Sequence, residues 1–119
     1  MRATVALIAL LLGAGVASGH AFLELAEPRV GSTVKTAPDQ VRVWFTERLE
    51  PAFSTLEVVN ERGERVDRGP AQVDETSPAM LQVPLKPIEP GTYRVKWRVL
   101  SVDTHVTKGD FTFRVAGGP

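Results

Sequence analysis

Hydrophobic and polar residues alternate along most of this chain, and in no long segment do they recur with a helical period. The plainest case is GTYRVKWRVLS, where Tyr93, Val95, Trp97 and Val99 fall on one face and Arg94, Lys96 and Arg98 on the other. That pattern predicts a strand with one face in a core and one in solvent. Phe111, Phe113 and Val115 in DFTFRV repeat it. In QVRVWFTE, Val41, Val43 and Phe45 alternate with Arg42 and Trp44, which predicts a strand largely apolar on both faces. TLEVV is a further strand, followed by a hairpin turn at Asn60-Glu61-Arg62-Gly63 into Glu64-Arg65-Val66. Met80, Leu81, Val83 and Leu85 form another run, broken by Pro87 and Pro90-Gly91. Phe22, Leu23 and Leu25 open the first run, which stops at Glu27-Pro28, and PRVGSTVKTAPD reads as a loop. About seven short strands in about 100 residues predict a small antiparallel β-sandwich. Trp44 and Trp97 are both expected to pack in its core.

The first residues break this pattern. Arg2 gives a positive start, Val5 to Leu12 is an unbroken apolar run, and Gly13 to Gly19 is rich in small residues. These are the three parts, in order, of a secretory signal peptide with its cleavage site, and the run is short for a membrane span of about 20 residues. Residues 1–19 are therefore expected to be removed and 20–119 to form the mature domain. The cut would leave a chain beginning at His20, with a free α-amine on that histidine.

Composition narrows the function. Basic and acidic side chains balance at 14 each, so no net charge draws the protein to nucleic acid or to an anionic membrane. Cysteine is absent, which removes disulfides, thiolate metal sites and a cysteine nucleophile. Neither a nucleic-acid partner nor stable membrane insertion after cleavage is expected, and a monomer is.

The mature chain has two histidines, His20 and His105. His105 belongs to Asp103-Thr104-His105, and in an extended segment residues two apart project to the same side. A carboxylate and an imidazole would thus converge after the strongest strand. Should His20 lie at the same end, the cluster would offer an α-amine, two imidazoles and a carboxylate. Nitrogen and oxygen donors in a tetragonal plane suit Cu(II), and divalent affinities peak at copper. Zn(II) could use the same groups with weaker binding. Copper must displace the amine proton, so binding should weaken in acid.

The segments HAFLELAEPRVGS, APDQVRVWFTE and GTYRVKWRVLSVDTHVTKGDFTFRV resemble the CopC family of periplasmic copper-binding proteins. The resemblance covers essentially the whole mature chain. It implies an immunoglobulin-like, Greek-key β-sandwich that binds Cu(II) through the amine and imidazole of His20, Asp103 and His105. It also implies action in the periplasm as a Cu(II) carrier or buffer, beside a CopD-like inner-membrane copper transport protein. Glu47 matches a family acid near the site, either orienting a ligand or serving as a weak axial one; the alternative is a solvated strand-end acid. Two departures stand out. Some members carry a methionine-rich Cu(I) site, whereas Met80 is the one methionine of this mature chain, so a Cu(II)-only type is expected. Members often have Gly between the Asp and the His, where this chain has Thr104, whose branched Cβ disfavours positive φ.

Two other function classes remain open at this level. An N-terminal histidine with a second histidine also builds the copper brace of oxidative polysaccharide-cleaving enzymes, and a sandwich without metal can be a plain interaction module.

Overall fold

A computed structural model describes residues 21–117; the expected signal peptide, 1–19, and His20 lie outside the described residues. The strands form two sheets. In one, β1 (Leu23–Glu27), β3 (Gln40–Phe45), β6 (Met80–Pro84) and β5 (Gln72–Val73) lie side by side in that order. In the other the order is β2 (Thr33–Val34), β8 (Val106–Val115), β7 (Gly91–Leu100), β4 (Thr55–Val59). All pairings are antiparallel except the short parallel contact of β2 with β8. One 3-10 turn, Pro51–Phe53, is present, and no helix among the described residues is long and apolar enough to cross a membrane. The chain is an all-β sandwich, as its alternation predicts.

The inward residues come from both sheets. Val41, Val43 and Phe45 of β3 and Leu81 and Val83 of β6 face Leu56 and Val58 of β4, Tyr93, Val95 and Val99 of β7, and Phe111, Phe113 and Val115 of β8. Each such side chain contributes about 1.5–3 kcal/mol by leaving water. Phe45 meets the Trp97 ring edge-on at 5.2 Å, tying the sheets together, and Tyr93 stacks on Phe113 at 5.6 Å. The Trp97 ring lies across Gly109 on β8, where a Cβ would come within 2.6 Å of the ring. Glycine is needed there for close approach, not for a turn.

The described residues form eight strands, close to the expected number of about seven: β2 and β5 have two residues each and carry no alternation to detect, while Glu64-Arg65-Val66 makes only a single bridge, Val59 to Arg65. One expectation needs correction. Trp44 is not a core residue. With Val41, Val43 and Phe45 turned inward, period two sends Trp44 to the outer face, between Leu25 and Met80 on neighbouring strands. In β1 the register slips by one between Leu23 and Leu25. Leu23 and Ala26 consequently both pack inward while Leu25 is exposed, a bulge that simple alternation does not reveal.

Asp67 is the one buried charged residue among the described residues. Its carboxylate accepts the N–H of Val58 at 2.8 Å, the N–H of Gly69 at 3.1 Å and the fork of Arg65 at 3.2 and 2.9 Å. Burial alone would raise its pKa. The Arg65 guanidinium and the two backbone N–H groups outweigh burial and hold the carboxyl below its usual range. A depressed folded-state pKa gives stability that is present above the unfolded value of about 3.9 and disappears as pH falls through the folded one. Asp67→Ala should therefore lower unfolding stability at pH 7 by about 2–3 kcal/mol. Urea midpoints should show that gap holding down to about pH 5 and narrowing below about pH 4.

Candidate metal centre

The β7–β8 hairpin pairs ten residues with ten, from Gly91 opposite Val115 to Leu100 opposite Val106. Five residues, Ser101 to His105, close it. The Ser101 N–H donates to the His105 carbonyl at 3.0 Å and the Thr104 N–H to the Ser101 carbonyl at 2.9 Å. The turn at Asn60 is bonded in the same way: Asn60 N–H to Glu64 carbonyl and Gly63 N–H to Asn60 carbonyl, both 2.9 Å. Both turns need a left-handed residue in fourth place. Gly63 has φ +80° and Thr104 has φ +72°. Glycine adopts that conformation freely, whereas a β-branched residue there is strained by about 1–3 kcal/mol. Thr104 was expected to disfavour positive φ; the structure imposes it all the same.

This turn, rather than strand periodicity, brings the expected ligands together. Asp103 and His105 are both exposed, and Asp103 Oδ1 lies 3.3 Å from His105 Nδ1. The buried Ser101 hydroxyl donates to the same Oδ1. That hydroxyl first, and then the ring and backbone N–H of His105, hold the Asp103 carboxyl below the usual carboxylate range against the opposing effect of desolvation. A carboxylate kept ionised beside an imidazole is suited to a divalent cation.

The loop between β3 and the 3-10 turn converges on this turn. The Arg48 carbonyl accepts the Val102 N–H at 3.0 Å, and the Leu100 carbonyl accepts the Glu50 N–H at 2.8 Å. Glu47 is thus one residue from a backbone tie to the turn, although among the described residues no third His, Asp or Glu joins Asp103 and His105 in a metal-sized cluster. The start of the described chain is also anchored here. The Ala21 carbonyl accepts the Thr107 hydroxyl at 2.7 Å, and Phe22 and Thr46 exchange bonds of 2.9 Å, Phe22 N–H to Thr46 Oγ1 and Thr46 N–H to Phe22 carbonyl. Ala21 is fully buried. His20 lies outside the described residues.

Sequence reasoning missed Ser101, Thr107 and Thr46. Each is a small hydroxyl residue in a stretch where such residues are common, so residue type alone gave no signal. Of the residues singled out in the sequence, Asp103 and His105 are brought together, while Glu47 joins no metal-sized cluster with them among the described residues.

Residues 23–116 match the CopC domain. The chain belongs to the CopC family. Protein YobA of Escherichia coli (strain K12) is 38% identical over 97 residues, covering 81% of this chain and 78% of its own. Copper resistance protein C of Xanthomonas campestris pv. juglandis is 33% identical over 118 residues, covering 94% of this chain and 92% of its own. The crystal structure of CopC from Methylosinus trichosporium OB3b superposes with a TM-score of 0.78 at 31% identity, over 84% of this chain and 97% of that one. Membership of the CopC family makes this a copper-handling protein rather than an enzyme.

Because Thr104 occupies a conformation made for glycine, Thr104→Gly should raise stability by about 1 kcal/mol, the relief of strain exceeding glycine's extra unfolded-state entropy. A higher urea midpoint at unchanged slope would show it; Thr104→Ala, which keeps the Cβ, should gain less.

Proposed function

We propose that the exported protein, cut to begin at His20, is a periplasmic carrier or buffer of Cu(II). The ion would be held by the α-amine and imidazole of His20, the Asp103 carboxylate and the His105 imidazole. The observation that carries this reading is the bond from the Thr107 hydroxyl to the Ala21 carbonyl, across 86 positions of sequence. It fixes the residue after His20 within two residues of His105, at the end of the sandwich where Asp103 and His105 already face each other. The donor set fits the ion: three nitrogens and one anionic oxygen match the tetragonal preference of Cu(II). The amine and imidazole of one residue close a chelate ring, so the second bond adds little ordering entropy.

Met80 supports a Cu(II)-only type. It is buried on β6, in the pair opposite Trp44, and the mature chain offers no second thioether to build a soft Cu(I) site with it. Glu47, one residue from the Arg48 tie to the turn, would orient a ligand or act as a weak axial one, the alternative being a solvated strand-end acid. A CopD-like membrane protein would receive or deliver the ion. An anionic oxygen among the donors favours the oxidised ion, which suits storage and transfer better than oxidative chemistry.

Competitive titration of the secreted protein with Cu(II) should find one tight equivalent. His105→Ala should weaken it about 100-fold or more, since even outer-shell partners of a metal ligand cost 10–100-fold. A variant with one glycine added before His20 should lose comparable affinity, because its histidine nitrogen is an amide. Unchanged binding in either variant would refute the ligand set.

A further inference from the structure

We propose that Ser101 is the positioning residue of this centre: its buried hydroxyl turns the Asp103 carboxylate, keeping Oδ1 engaged inside the hairpin and presenting Oδ2 to the metal. The metal in this statement rests on the copper reading above; the orientation of Asp103 does not.

Ser101 is fully buried, although it opens a turn whose next residues are exposed. A serine in an inward position at the end of β7, two residues beyond Val99, gives up apolar contact that a valine or alanine would make. Its place is held by the backbone: it bridges Leu49 and donates its N–H to the His105 carbonyl. The hydroxyl lies 3.3 Å from that same carbonyl, but the backbone N–H already serves it at 3.0 Å, and the shorter contact of the side chain's single hydrogen is to Asp103 Oδ1. The same oxygen faces His105 Nδ1 at 3.3 Å, so both side-chain contacts of the carboxylate fall on Oδ1. A carboxylate gripped through one oxygen acts as a monodentate ligand. That suits a four-donor plane and works against cations that take bidentate carboxylates, such as Ca(II). A hydroxyl fixed in the interior is also a firmer support than water, because its own rotamer is locked by packing.

Ser101→Ala tests this without unfolding the protein. The backbone bonds remain, and Asp103 is exposed enough to take water in place of the lost hydroxyl. In the metal-free protein, the Hα–Hβ couplings of Asp103 should report one rotamer in the wild type and averaging in Ser101→Ala, with Ser101→Thr restoring the single rotamer. In Cu(II) titrations Ser101→Ala should bind 10–100-fold more weakly. Its electron paramagnetic resonance spectrum should also show a second or broadened parallel hyperfine set, which Ser101→Thr should reverse. Identical Asp103 couplings in wild type and Ser101→Ala would overturn the proposal, as would released couplings with unchanged affinity and spectrum. A wild type that binds no Cu(II) while its Asp103 couplings still respond to Ser101→Ala would sink the copper reading alone.

Discussion

The ten-pair ladder between β7 and β8 is the constraint from which the site follows. Its register is held by Tyr93, Val95, Val99, Phe111, Phe113 and Val115, all buried on one face. A slip of one residue would turn these side chains to water and the arginines and lysine of β7 inward, so the register has no near competitor. Once Leu100 sits opposite Val106, five residues must close the gap, and the closure requires a left-handed residue at position 104. The strain at Thr104 is therefore imposed by the core. A local cost of about 1–3 kcal/mol is small beside the burial of six large side chains at about 1.5–3 kcal/mol each.

The same ladder decides what the turn can do chemically. Its last pair places Ser101 inside and Asp103 and His105 outside, and the buried hydroxyl reaches the exposed carboxylate across one residue. On β8, the Thr107 hydroxyl donates to the carbonyl of Ala21, where the described chain starts. The loop after β3 meets both, through Thr46 to Phe22 and through Arg48 to Val102. Three segments remote in sequence are held at one end of the sandwich by backbone and hydroxyl hydrogen bonds, and none of them depends on a charged pair. The ion pair of exposed Arg65 with buried Asp67 belongs to the segment after β4, next to the Asn60 turn. That turn adjoins the first residues of β7, whereas the candidate centre follows its last ones, so the charge that stabilises the fold is kept apart from the carboxylate of the candidate centre.

The two hairpin turns show what composition does at equal geometry. Gly63 and Thr104 occupy the same place in the same hydrogen-bond pattern. In the first, Asn60 accepts the N–H groups of Arg62 and Glu64 through its side chain, and glycine leaves the turn unstrained. In the second, a serine takes the opening place and its side chain serves a carboxylate. One turn is bonded for stability, and the other brings a carboxylate and an imidazole together.

Alternation alone settled the fold class. Each long strand buries one face, so its period of two is written into the chain, and Tyr93 to Val99 or Phe111 to Val115 could hardly pack another way. The inventory of donors was equally legible: no cysteine, two histidines and, beyond Met1, a single methionine favour nitrogen and oxygen chemistry, and Asp103 with His105 was a visible pair. Tertiary structure decided the rest. Two-residue strands, the bulge in β1 and the outward face of Trp44 depend on which neighbours a strand meets. The destination of the Ser101 hydroxyl and the meeting of Ala21 with Thr107 depend on how two sheets stack over 86 residues of separation. A hydroxyl looks the same in sequence whether it meets water, a backbone carbonyl or a ligand's carboxylate. Periodicity is a local property that a short window records, whereas a contact between distant segments exists only once the core has set the register of both.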